Sequence, residues 1–317
     1  MVGEEIGRSP ISEKADMQIA LLGAPTVSWR GQPLDVPRRQ VRALLFRLAA
    51  TLHPIPRERL GFLFWPDMPE SEARRNLSRL LSHLRHALPD PTLVLTSGDS
   101  IELDARRASS DVVTFRRLAS RRDEIEHLRQ AAQLYRGPFL AGFSLAGSPE
   151  FEAWVREQQR DCEQRYLEVL AVLIERLTER QAYDSAITYA RSYLALDELA
   201  EEIHRRLITL YAATGDRSAA QRQFERCAAV LERELGVRPL PKTREVYVRA
   251  LDGRDRRAMR AAPGLSWTTL PSLDVRLVGR EGPCEALSEA WSSACAGQGR
   301  MVLISGEPGI GKSRLME

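Results

Sequence analysis

The chain has 317 residues, with 46 basic and 43 acidic side chains and a net charge of +3. That length suggests two or three domains. The near balance of charge excludes a uniformly basic protein, so any nucleic-acid-binding charge has to be local.

Hydrophobic content of 43% is enough for packed cores, and 6% aromatic with 28% charged residues fits a helical, soluble protein. The four cysteines, Cys162, Cys227, Cys284 and Cys295, form no C-x-x-C pair. Reduced, mostly buried thiols in a cytoplasmic protein are expected. No apolar run reaches membrane-spanning length, so no membrane partner is expected. Residues 1–16 have no signal-peptide core and read as a disordered leader.

Residues 17–108 read as a small α+β domain. Gln18–Gly23, Thr26–Trp29 and Pro33–Val36 are extended pieces separated by turn residues, an antiparallel meander. Arg38–Leu52 is helical, with Val41, Leu44, Leu45, Leu48 and Leu52 on one face. Pro54 and Pro56 break it, and Pro56 suits the first turn of a second helix that ends at Trp65-Pro66.

A third helix spans Ser71–Leu88, with Ser71 as its expected N-cap. Ala73, Leu77, Leu80, Leu81, Leu84 and Leu88 make one apolar stripe. At roughly 100° per residue, Arg75, Arg79, Ser82 and His86 fall opposite it. Arg74, Ser78 and Arg85 lie on one flank, and Asn76 and His83 on the other. Such a face is either solvated or made to meet phosphates and base edges. From Arg30 to Asp90 there are eleven arginines against six acids, an excess of five that exceeds the net charge of the whole chain. Leu93–Thr96, a turn at Ser97–Ser100 and Ile101–Leu103 then form a hairpin. Three helices and a hairpin make a winged helix-turn-helix, whose third helix enters the major groove of double-stranded DNA.

The N-terminal meander, Leu60-Gly-Phe-Leu-Phe-Trp65-Pro66-Asp67 and Ser71-Glu-Ala-Arg-Arg-Asn76 through His83-Leu-Arg85-x-Ala-Leu88 resemble the winged-helix domain of the SARP family of bacterial antibiotic regulatory proteins. The resemblance implies that Trp65 is a core residue before the recognition helix. The candidate DNA-binding set is Arg74, Arg75, Asn76, Ser78, Arg79, Ser82, Arg85 and His86, with Thr96 and Ser97 on the wing. One departure is the hairpin tip, which has no Lys or Arg; Arg106 and Arg107 just beyond it are the expected substitutes.

Residues 109–252 read as all-helical. Ala186 and Ala220 lie one tetratricopeptide period apart, and Leu207, Tyr211, Gly215, Ala220 and Phe224 take the packing positions of the second copy. Two imperfect repeats need flanking helices, for which 151–180 and 241–251 serve. Tyr135-Arg-Gly-Pro-Phe-Leu, Phe151-x-x-Trp154 and Leu231-Glu-Arg-Glu-Leu-Gly236-Val-Arg-Pro239 resemble the bacterial transcriptional activation domain of SARP-type activators. That resemblance implies contact with RNA polymerase and self-association on DNA.

Residues 253–275 read as a linker. Residues 276–317 contain the apolar strand Met301–Ser305 followed by Gly306-Glu-Pro-Gly309-Ile-Gly311-Lys312-Ser313, the G-x-x-x-x-G-K-S phosphate loop. Its amides would wrap phosphates, Lys312 would reach the β/γ-phosphates and Ser313 would ligate Mg²⁺. With no acidic Walker-B strand after it, the segment is expected to be the truncated start of a P-loop NTPase in a longer protein, where ATP and Mg²⁺ would regulate. Val278-Gly-Arg-Glu281 resembles the entry to that ATPase module in large SARP-type regulators.

The expected fold is therefore mainly α, an α+β winged helix followed by TPR-like helices and a P-loop fragment. The expected function is a sequence-specific transcriptional activator and not an enzyme, with no cofactor of its own. The alternatives are a nucleotide-binding signalling switch and a helical-repeat adaptor. No catalytic triad, paired carboxylates or metal-spaced His/Cys group stands out.

Overall fold

A computed structural model of the chain describes residues 15–252. Strands β1 (Met17–Ala20), β2 (Thr26–Trp29) and β3 (Gln32–Pro33) form the antiparallel meander, with Met17 opposite Trp29 and Ala20 opposite Thr26. Helices α1 (Arg39–Ala49), α2 (Arg57–Phe64) and α3 (Glu70–Ala87) follow, with the short strand β4 (Ile55–Pro56) between α1 and α2. A single 3₁₀ turn leads to the hairpin β5 (Val94–Ser97) and β6 (Ser100–Leu103), and then to β7 (Ala108–Ser110).

The short strands make two sheets. β7 runs parallel to β1, completing the order β3-β2-β1-β7, and β4 pairs with β6, giving the order β4-β6-β5. The antiparallel meander is as expected, but its third strand is Gln32–Pro33 and not Pro33–Val36; β4 and β7 are additions that no local pattern announced.

Prolines set the helix ends of the winged helix. α2 stops where Trp65 turns out of the helical region before Pro66, and α3 stops at extended Leu88 before Pro89. Two expected caps need correction. Pro69, not Ser71, occupies the N-cap of α3, which places Ser71 inside the first turn. Pro56 pairs in β4 and caps α2 from outside instead of entering it. Glu70 and Glu72 favour the α3 N-terminus by charge in place of a capping side chain.

The stripe of α3 packs as its spacing requires. Ala73, Leu77, Leu80, Leu81, Leu84 and Leu88 are all buried, each large one stabilising by roughly 1.5–3 kcal/mol. Where α2 meets α3 the residues are small and buried: a Cβ on Gly61 would stand 3.5 Å from that of Ala73. Trp65 is partly buried, tilted against Phe64 at 5.7 Å between ring centroids.

Beyond the winged helix come α4 (Asp111–Ala119), α5 (Ile125–Leu134), the 31-residue α6 (Pro149–Glu179), α7 (Tyr183–Leu194), α8 (Glu201–Thr214), α9 (Arg217–Leu235) and α10 (Pro241–Asp252). α6 packs with α7, and α8 with α9, as helical hairpins. Ala186 on α7 and Ala220 on α9 are fully buried where their hairpins close. Gly215 ends α8 at φ +87°, and Asp216 then caps α9 by accepting the Ala219 amide at 2.8 Å. α10 lies against α8 and α9, with Tyr247 stacked on Phe224 at 4.2 Å.

The winged helix and the helical array share one continuous core. Leu21 accepts the Leu140 amide at 2.8 Å, Gly23 donates to Pro138 at 3.1 Å, and Ala141 donates to Gly23 at 2.9 Å. Phe64 of α2 stacks on Phe151 of α6 at 5.7 Å, and Phe46 of α1 meets Phe143 at 5.1 Å. Arg39 and Arg116 each donate to a backbone carbonyl across the joint, Ser144 and Ala50 respectively. Such paired backbone and packed rings join the two parts in one packed unit, not as beads on a string. Among the described residues, no helix is long and apolar enough to cross a membrane. The two described cysteines, Cys162 and Cys227, are free and buried.

Candidate nucleic-acid interface

The outward face of α3 is where the candidate residues gather. Its stripe is locked into the core, so the opposite row faces solvent. Arg75 and Arg79 are exposed, and their guanidiniums make no hydrogen bond or ion pair with any described side chain or backbone group. Ser82 and His86 continue the row, with His86 Nδ1 2.7 Å from the Ser82 carbonyl oxygen. Two unpaired guanidiniums one helical turn apart are suited to bidentate bonds with phosphate or guanine.

The flanks are engaged within the protein. Arg74 is half exposed, with Nε 3.0 Å from Glu70 and Nη2 3.8 Å from Asp99 at the wing tip. Ser78 Oγ donates back to the Arg74 carbonyl at 2.9 Å. Arg85 Nη2 donates to Thr96 Oγ1 at 2.5 Å and to the Val94 carbonyl at 3.2 Å, tying α3 to β5. On the other flank Asn76 Nδ2 donates to Met68 Sδ at 3.3 Å. Thr96 and Ser97 are exposed on the hairpin, whose tip turns at Gly98 with φ +56°. The geometry thus brings nine of these ten residues into one surface of helix and hairpin, with Arg85 half-buried between them.

Arg106 and Arg107, the expected substitutes for wing charge, both have acidic partners within the protein. Arg106 pairs with Asp104 at 3.2 Å. Arg107 is clamped between Asp16 at 3.0 Å and Asp90 at 2.8 Å. The hydrogen bond from Thr92, followed by that from Arg107, holds the Asp90 carboxyl down at about 2. Asp99 is a neighbour of Arg74 that no local sequence pattern announces, because it stands 25 positions away and approaches only through the fold. The phosphate-loop residues Gly306, Gly309, Gly311, Lys312 and Ser313 lie outside the described residues, as do residues 1–14 and the linker.

Residues 103–251 match the family model of the bacterial transcriptional activator domain, and residues 276–317 match that of the AAA ATPase domain. The chain is 25% identical over 252 residues to the transcriptional regulatory protein MoaR1 of Mycobacterium tuberculosis, covering 74% of this chain and 79% of that protein. It is 25% identical over 311 residues to the regulatory protein AfsR of Streptomyces griseus, covering 93% of this chain but only 31% of AfsR. Among solved structures, Mycobacterium tuberculosis EmbR, in complex with a low affinity phosphopeptide, shares the fold with a TM-score of 0.53 at 20% identity, over 77% of this chain and 69% of that one. The protein is a transcriptional regulator, built as a winged helix joined to a bacterial transcriptional activator domain. More particularly, the regulators that it resembles are of the SARP type, and its residues 276–317 are similar to an AAA ATPase domain.

Proposed function

We propose that the chain is a sequence-specific activator that lays α3 in the major groove of double-stranded DNA. The observation that carries this reading is the outward row of α3: Arg75 and Arg79 project from a helix whose other side is fixed, and neither is neutralised by a described neighbour. Ser82 and His86 extend the reading row, and Asn76, Ser78, Thr96 and Ser97 are placed for phosphate or base-edge contacts at its margins. The TPR-like hairpins give a surface for RNA polymerase or for a second copy on adjacent DNA sites.

Gel-shift titration of the chain on promoter DNA at several salt concentrations tests the reading. Affinity should fall steeply with salt. Arg79→Ala or Arg75→Ala should weaken binding by about 1–3 kcal/mol if the side chain reads a base. A uniform loss across sequences with a shallower salt slope would assign it to phosphate instead. Absent or salt-insensitive binding would remove the DNA-binding function.

A second reading is supported by the AAA ATPase match and the G-x-x-x-x-G-K-S loop. Here the protein is a nucleotide-responsive switch, with Gly306, Gly309, Gly311 and Lys312 holding ATP phosphates and Ser313 holding Mg²⁺. ATP binding that disappears in Lys312→Ala would support it.

A further inference from the structure

The strand order β4-β6-β5 leaves β5 at the edge of its sheet. Asp104 donates to the Leu93 carbonyl at 2.9 Å, so in the alternating antiparallel ladder Leu95 and Ser97 bond to β6. Val94 and Thr96 then turn their backbone groups to the open edge. That edge lies along the α3 flank carrying Arg85. Its guanidinium donates to the Val94 carbonyl at 3.2 Å and to Thr96 Oγ1 at 2.5 Å, where a neighbouring strand would otherwise stand.

We propose that Arg85 is a positioning residue that clasps the wing to the recognition helix and so sets where the wing meets the DNA backbone. This rests on the DNA-binding reading above. Arg85 points along the sheet edge, away from the outward row of Arg75 and Arg79. Both its acceptors belong to one strand, so it fixes the height of the hairpin as well as its distance from α3. Its bond to Thr96 leaves the Thr96 hydroxyl hydrogen free to be donated to a phosphate. The wing tip carries no Lys or Arg, so its contacts must come from short polar groups such as this hydroxyl. Short groups tolerate little misplacement, which is why a clasp matters here.

The test uses the full chain and a labelled duplex selected by the wild-type protein from a random-sequence pool. Arg85→Ala, Thr96→Val and the double variant are titrated, and each complex is footprinted with hydroxyl radicals. Arg85→Ala should weaken binding about 10-fold and lose protection at the sugars under the wing, with protection under α3 retained. The double variant should bind no more weakly than Arg85→Ala. Multiplying losses, or intact wing protection in Arg85→Ala, would overturn the proposal. Hydrogen exchange without DNA separates the two readings. Faster exchange at the Leu95 and Ser97 amides in Arg85→Ala supports the clasp even if the wild type binds no duplex, an outcome that would defeat the DNA-binding reading alone. Unchanged exchange there defeats the clasp.

Discussion

Arg136 Nη2 lies 2.9 Å from Asp111 Oδ2, and the Asp111 side chain is fully buried while that of Arg136 is half exposed. The same carboxylate accepts the amides of Leu21 at 2.7 Å and Leu22 at 3.1 Å. Burial pushes the Asp111 carboxyl up, and these three donors oppose that rise. Asp111 is the first residue of α4, so one side chain joins the end of β1 to the start of the helical array.

Asp111→Ala is therefore expected to cost about 3 kcal/mol of stability, because it leaves two buried amides without an acceptor. Arg136→Ala should cost less, about 1 kcal/mol, because its guanidinium already reaches water. Urea unfolding of both variants checks the order; equal losses would place the strength of the joint in the ion pair and not in the amides.

Asp99 presents a carboxylate beside Arg74 on the surface proposed to meet DNA. Asp99→Asn removes that charge and frees Arg74 for phosphate. Binding to duplex DNA should tighten by about 3- to 10-fold at low salt, and the gain should shrink as salt screens it. Titration at two ionic strengths measures both effects, and unchanged affinity at low salt would place Asp99 away from the DNA.

The cluster of Asp16, Arg107 and Asp90 predicts acid sensitivity. Thr92 and Arg107 hold Asp90 down at about 2, and Arg107 also lowers Asp16. Folded values below the unfolded ones mean that this stabilisation is present above about pH 4. It is lost as pH falls toward about 2. In Arg107→Met, the change in urea midpoint between pH 5 and pH 3 should be smaller than in the wild type. Asp111 contributes with the opposite sign in both proteins and cancels in the comparison.

Arg47 is an arginine of α1 buried to 6% exposure, 5.0 Å above the Trp154 ring, with Nη1 unpartnered among the described residues. Burial lowers its guanidinium to about 10. Arg47→Met keeps the packing and removes the buried charge, so it should stabilise the protein by about 1 kcal/mol. Arg47→Ala should destabilise it by about 2 kcal/mol through lost contact with Trp154. Thermal unfolding distinguishes the pair, and a destabilised Met variant would show that the cation–π contact outweighs the burial penalty.

The elements legible in the sequence are those with a local signature. The stripe of α3, the prolines that end α2 and α3, the hairpin around Gly98 and the 34-residue spacing of Ala186 and Ala220 are all periodic or punctuated signals. β4 and β7 are two and three residues long, too short to show a period, and exist because distant strands pair with them. The outward row of α3 follows from helix geometry alone. Glu70 stands one turn before Arg74, so that pairing is open to the same geometry, but the approach of Asp99 to Arg74 and of Thr96 to Arg85 is not, since both arrive through the turn after Leu88. Arg107 likewise looked like free charge only until Asp16 and Asp90 closed around it.

The backbone seam between Leu21–Gly23 and Pro138–Ala141 has a practical consequence. A shortened protein that stops after the hairpin would lose β7 and the Pro138–Ala141 segment together. The β1 edge and the end of that strand would then be naked, the kind of unpaired border through which chains stick to one another. A minimal fragment that keeps the winged helix folded should therefore extend at least through the Phe151 turn of α6.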